Sequence, residues 1–135
     1  MKTANINGLT QEDIVLLYSY VNAYESHIRV LKDKEKICEQ EKQLKEKTKT
    51  ITYKCCYQSE LKDCNITEIN NEIYFTDSKS NKTLSFLWHL RNSIAHCSIV
   101  KKGNQYELID KYHNKPNMKG RVDCNILEDI INIFI

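Results

Sequence analysis

Hydrophobic and polar positions follow a helical rhythm near both ends of the chain and once in its second half. Near the start, Ile14, Leu17, Val21, Tyr24, Ile28, Leu31 and Cys38 recur at spacings of three and four, interrupted at Glu35. That is the mark of a helix with one buried seam. Thr10-Gln11-Glu12-Asp13 has the form of a capping box, with Leu9 and Ile14 placed as a hydrophobic staple. Residues 32–49 interleave charges of both signs around Ile37, Cys38 and Leu44. Opposite charges three or four apart support a helix, so this segment reads as a solvated extension of the first helix or as an arm that holds a second subunit. Unbroken from Thr10 to Lys47, such a helix would be ~57 Å long, too long to stay within a domain of this size.

A second helix is expected over residues 50–64, with Ile51, Cys55, Gln58, Leu61 and Cys64 on one face. Residues 66–75 close on an apolar run that suits extended chain, and residues 76–81 form a polar linker rich in N-cap candidates. A third helix covers residues 84–97. The segments 98–101 and 105–109 flank Lys102-Gly103-Asn104 as a small hairpin. Residues 111–122, with the one Pro and a Gly, read as loop. Asp123 then caps a last helix carrying Ile126, Leu127, Ile130, Ile131 and Phe134 on one face. The pattern predicts an all-α fold: a four-helix up-and-down bundle with a small β-hairpin before the last helix, in a single domain spanning residues 1–135.

Composition sharpens this. Three Gly and one Pro among 135 residues argue for long helices and against a turn-rich sandwich or barrel. Twenty Lys+Arg stand against 18 Asp+Glu, a formal charge of +2, so nucleic-acid binding must be local rather than driven by a bulk basic field. No stretch approaches the ~20 apolar residues of a membrane span. The N-terminus lacks an apolar signal region, so a cytoplasmic location is expected, with no membrane partner. Six cysteines without a Cys-x-x-Cys pair, two of them adjacent at Cys55-Cys56, read as reduced thiols. Neither a metal site nor a cofactor is expected.

The third helix carries the candidate chemistry. At about 100° per residue, Ser85, His89, Asn92 and His96 form one polar stripe opposite Leu87, Leu90 and Ile94. Such a stripe faces either solvent or a polar interface. Arg91-Asn92-Ser93-Ile94-Ala95-His96 lies at the end of this helix. An Arg-Asn pair followed by a His at that spacing arises by chance in on the order of one chain in a hundred. Histidine titrates near neutrality and can exchange a proton, whereas arginine stays charged and can fork two phosphate oxygens.

In Arg91, Asn92 and His96 the chain resembles the HEPN family (higher eukaryotes and prokaryotes nucleotide-binding domain), whose signature is an Arg, four to six residues, then a His. The helix order agrees with the resemblance, which is closest to small stand-alone HEPN proteins of bacterial plasmids and defence systems. The resemblance implies a metal-independent endoribonuclease whose motif helices meet across a homodimer axis. His96 would be the acid/base, Arg91 the phosphate stabiliser and Asn92 an orienting residue. It also implies RNA as substrate and, for a toxin, a cognate antitoxin protein as partner. Some HEPN toxins carry a Tyr two residues beyond the motif His; Cys97 and Ser98 follow here, so a mechanism through that Tyr is not implied.

His89, on the polar stripe, and Lys101 and Lys102, in a basic hairpin region after the motif helix, are further candidate RNA contacts. Arg91 and His96 lie about 140° apart on a regular helix, so Arg91 must wrap round, or the helix must loosen near His96, or the two act on different sides of a dimer cleft. Plainer alternatives stand beside these. Arg91 would make a salt bridge to another helix, His96 would cap the helix end, and His89 would be a surface or interface histidine. The domain as a whole would then be a non-catalytic HEPN module for RNA, nucleotide or protein binding.

Overall fold

The computed structural model describes residues 7–30 and 37–135. Its fold is mixed α/β, which overturns the all-α four-helix bundle expected from the sequence. Helix α1 (Gln11–Ala23) opens on the predicted capping box. Thr10 Oγ1 accepts from the Asp13 amide at 3.1 Å, and the Thr10 amide donates to the Asp13 carboxylate at 2.8 Å. The helix loosens into a π-helical turn (Tyr24–Ile28) and gives way to a turn at Arg29 and Val30. It therefore does not run unbroken to Lys47. Residues 31–36, part of the expected charged extension, lie outside the described residues. Beyond them α2 (Cys38–Lys47) is a separate helix that packs on the last helix, because Ile37 and Leu44 are both buried and bring the segment back to the core.

The expected second helix is a correction. Its first part is strand β1 (Thr52–Cys55), in which Tyr53 and Cys55 turn inward while Thr52 and Lys54 face out; only Gln58–Lys62 is helical, as α3. Period-two alternation of a β-branched and aromatic run wins over the three-and-four spacing first seen there. Strand β2 (Glu72–Phe75) lies parallel to β1, with α3 in the crossover between them.

Helix α4 (Lys82–Ala95) bears the motif, and Asn81 caps it by accepting from the Leu84 amide at 2.9 Å. The hairpin of β3 (Ile99–Lys102) and β4 (Gln105–Tyr112) is present, with Gly103 at φ +59° in its turn. The stretch read as loop is instead β5 (Lys115–Asp123), paired along β4. Met118, Gly120 and Val122 alternate inward there, and a Cβ at Gly120 would sit 3.2 Å from Ile73. The glycine thus permits close packing between strands and does not mark a turn. The sheet order is β1-β2-β5-β4-β3, antiparallel except for β1 and β2.

Helix α5 (Cys124–Phe134) closes the chain with Leu127, Ile130, Ile131 and Phe134 buried. Asp123 stands at its N-cap position, but its carboxylate accepts from Gln105 and Asn71 instead of capping. One core lies between the sheet and the layer of α1, α4 and α5. Ile73, Phe75, Leu108, Met118 and Val122 from the strands meet Phe86, Leu87, Leu90, Ile94 and Leu127 from the helices. Leu61 of α3 and Ile69 beyond it are buried separately, near Tyr74 on the other sheet face. No helix of the described residues is long and apolar enough to cross a membrane.

Candidate functional site

Helix α4 commits one side to the core through Phe86, Leu87, Leu90 and Ile94, which turns the polar stripe toward the 76–79 linker and β4. Most of the stripe is satisfied within the chain. Ser85 is fully buried; its Oγ donates to Asp77 at 3.0 Å and accepts from the amides of Ser78 and Lys79. This pins the linker onto the helix and leaves no contact between Ser85 and His89.

His89 is 2% exposed. Its Nδ1 lies 2.7 Å from Asp110 Oδ2 and its Nε2 lies 2.9 Å from the Thr76 carbonyl oxygen. Both ring nitrogens are therefore engaged, and Nε2 also lies 3.3 Å from the Thr76 hydroxyl. His89, expected at a surface or an interface, is an internal tie between α4, β4 and the linker. Asn92 Nδ2 donates to the same Asp110 oxygen at 3.3 Å, and Asn92 Oδ1 accepts from Arg91 Nη1 at 3.0 Å. Arg91 Nε in turn donates to Glu25 Oε1 at 2.8 Å, in the π-helical turn that follows α1. The hydrogen bond from Arg29, opposed by desolvation and helped by the hydrogen bond from Arg91, holds the Glu25 carboxyl below its usual range. A continuous polar chain therefore runs Glu25–Arg91–Asn92–Asp110–His89–Thr76. The salt bridge to another helical segment foreseen for Arg91 is present.

His96 is exposed and is the C-cap of α4. The helix ends in a left-handed residue, Cys97 at φ +55°, with the Ser98 amide donating to the Ser93 carbonyl at 2.7 Å and the Cys97 amide to Ile94 at 3.0 Å. This is the pattern of a Schellman cap; its left-handed residue follows His96. Arg91, Asn92 and His96 all border one cleft of about 540 Å³, together with Trp88, Lys111 and Tyr112. Lys79 Nζ lies 4.5 Å from the centre of the Trp88 ring and Arg91 Cζ lies 5.5 Å from it, so cations crowd the aromatic wall of the cleft.

Lys101 and Lys102 are not among the residues that line this cleft. Lys101 is bound to Asp13 at 3.0 Å, and Lys102 pairs with Glu107 at 3.2 Å. Sequence reasoning missed Asp110, Glu25 and Tyr112. The first carried a signal: Tyr106, Leu108 and Asp110 share the inward face of β4, and an acid on an apolar stripe demands a partner. Among the described residues no three His, Cys, Asp or Glu side chains gather to hold a metal ion.

No known protein-family profile, curated protein or solved structure matches the chain.

Proposed function

We propose that the protein is a metal-independent endoribonuclease of the HEPN type that acts as a cytoplasmic homodimer, with His96 as acid/base and Arg91 as phosphate stabiliser. The main support is that Arg91, Asn92 and His96, although spread round α4, border a single cleft. In the reaction a 2′-hydroxyl gives its proton to a base, and its oxygen attacks the adjacent phosphorus. The bond to the 5′-oxygen breaks, that oxygen takes a proton from an acid, and a 2′,3′-cyclic phosphate remains. One protomer brings one exposed imidazole to the cleft, because both nitrogens of His89 are engaged. Two protomers related by a two-fold axis supply both the base and the acid. Arg91 supplies fixed positive charge for the phosphorane oxygens, steadied by Asn92, which Asp110 holds. A toxin or defence role, restrained by a cognate antitoxin protein, belongs to the same reading.

One observation favours a second reading, a binding module for RNA, nucleotide or protein without turnover: Arg91 is already matched by Glu25. Digestion of RNA in EDTA separates the two. Wild type is expected to leave cyclic phosphate ends, and His96→Ala and Arg91→Ala to lose about 100-fold or more in rate. Retention of RNA without cleavage selects the binding module. Equal cleavage by all three proteins points to a contaminant and removes the nuclease assignment. A protein that sediments as a monomer with and without RNA removes the two-protomer mechanism.

A further inference from the structure

The motif cleft does not end at Asp77. A second cavity of about 820 Å³ shares Thr76, Asp77 and Asn117 with it and extends to Lys54, Cys56 and Tyr57. The two form one groove across the ends of β1 and β2. Its chemistry changes along its length. The motif end carries Arg91, Lys111 and the imidazole of His96, beside Asp77 and Asp110, which are hydrogen-bonded by Ser85, His89 and Asn92. The far end is lined by one cation, Lys54, against two acids, Glu60 and Asp77, so it has no cationic excess to hold a phosphate.

What the far end does offer is an aromatic face and hydrogen-bonding edges. Tyr57 is 79% exposed, while its carbonyl is fixed by the Glu60 amide at 3.0 Å as the first turn of α3 begins. Asn117 Oδ1 is taken by Gln58 at 3.1 Å, which leaves its Nδ2 to donate. Asp77 Oδ1 is taken by Ser85, which leaves Oδ2 to accept.

We propose that this end of the groove is a subsite for an unpaired nucleobase, stacked on Tyr57 and read at its edge by Asp77 and Asn117, so that the substrate is a single-stranded segment crossing from the motif cleft. The inference rests on RNA being the substrate. Phosphate would sit at the end that holds Arg91, Lys111 and His96 and a neutral base at the other, which is how a polynucleotide alternates along its length. A duplex keeps its base faces stacked and cannot present one to Tyr57.

The test uses a labelled 2′-O-methyl oligoadenylate of eight residues, which cannot be cut, an eight-base-pair duplex, and the dinucleotide UpA, whose turnover reads the motif cleft. Tyr57→Ala removes an exposed ring, and unchanged thermal melting checks its fold; Asn117→Ala is the companion variant. Tyr57→Ala is expected to weaken binding of the octamer about tenfold or more and to lower UpA turnover by a smaller factor, with the duplex bound weakly by every variant. Octamer binding equal to wild type in both variants overturns the subsite. So does an equal loss for UpA, or a duplex bound as tightly as the single strand. Octamer binding that depends on Tyr57 in a protein that cuts no RNA keeps the subsite and removes the nuclease reading. A wild type that binds no RNA removes both, and turns the groove over to a protein ligand.

Discussion

Asp110 on β4 and His89 on α4 meet at 2.7 Å, and both side chains are almost wholly buried. The same carboxylate oxygen also accepts from Asn92, so a single acid fastens two positions of the motif helix to the sheet. Removing Asp110 leaves His89 Nδ1 and Asn92 Nδ2 buried without that acceptor, while His89 Nε2 keeps Thr76. Asp110→Ala is therefore expected to cost about 1–3 kcal/mol, read from urea denaturation. Asp110→Asn keeps one acceptor oxygen and should cost less. A loss below about 1 kcal/mol for the alanine variant would mean that the pair does not hold α4 in place.

Asp13 links stability to pH. Burial works against its charge, but the Thr10 amide, the Lys101 ammonium and the hydroxyls of Thr10 and Tyr106 together hold its carboxyl below the ordinary 3.8. The unfolded chain then binds this proton first as pH falls. The contribution is complete above the unfolded value and is lost as pH drops below 3.8 and through the lower folded value. Asp13→Asn keeps an oxygen for the Thr10 amide but loses the charge that meets Lys101 at 3.0 Å, so it should lower stability at pH 7 by about 1 kcal/mol or less and should remove part of the acid slope. Denaturation midpoints at pH 7 and across the range below pH 4 check both; an unchanged acid slope contradicts the linkage.

The parts of the fold that were legible in the sequence are those with local causes. Thr10 and Asp13 announce α1, the apolar series Leu87, Leu90 and Ile94 announces α4, and Gly103 marks the β3–β4 turn. The sheet as a whole was not legible, and the reason is chemical. Scarce Gly and Pro point to few turns, but the chain has 13 Asn, and Asn tolerates the left-handed region that tight turns need. Asn7, Asn71 and Asn114 all have positive φ, and His113-Asn114 alone makes the β4–β5 turn. Strand β1 has four residues, too few to outweigh a helical spacing, whereas the apolar close of residues 66–75 suits extended chain and is β2. At the site, Arg91, Asn92 and His96 were visible as a motif. Asp110 lay one residue past the expected hairpin, and Glu25 is 66 positions from Arg91, a distance over which no local pattern reports.

Cys97 holds a left-handed conformation at φ +55° directly after His96. A Cβ in that region is strained by roughly 1 kcal/mol or more, which Gly escapes while paying some unfolded-state entropy. Cys97→Gly is expected to raise stability by about 0.5 kcal/mol, measured by denaturant unfolding, and to leave RNA cleavage intact, since the Schellman bonds are made by backbone. A destabilised variant would show that the contact of Cys97 Sγ with the Tyr18 hydroxyl, at 3.9 Å, outweighs the strain.

Glu25 occupies the guanidinium that a phosphate would need. It accepts from Arg91 at 2.8 Å and from Arg29 at 2.7 Å, in a π-helical turn, a local geometry that is often found at functional sites. An RNA phosphate that reaches Arg91 competes with this carboxylate. Glu25→Gln keeps an acceptor oxygen but removes the opposing charge, so it should bind RNA more tightly than wild type at low salt. The plot of log affinity against log salt should steepen by about 0.7 for the one additional uncompensated cation. Titrations of the same single-stranded octamer between 50 and 200 mM salt, a range over which such contacts are strongly screened (about 10³-fold or more for many contacts), give both quantities. Weaker binding by Glu25→Gln, with a flatter slope, would mean that Glu25 orients Arg91 for the phosphate and does not compete with it, and Arg91→Lys would then be expected to lose affinity by the same factor.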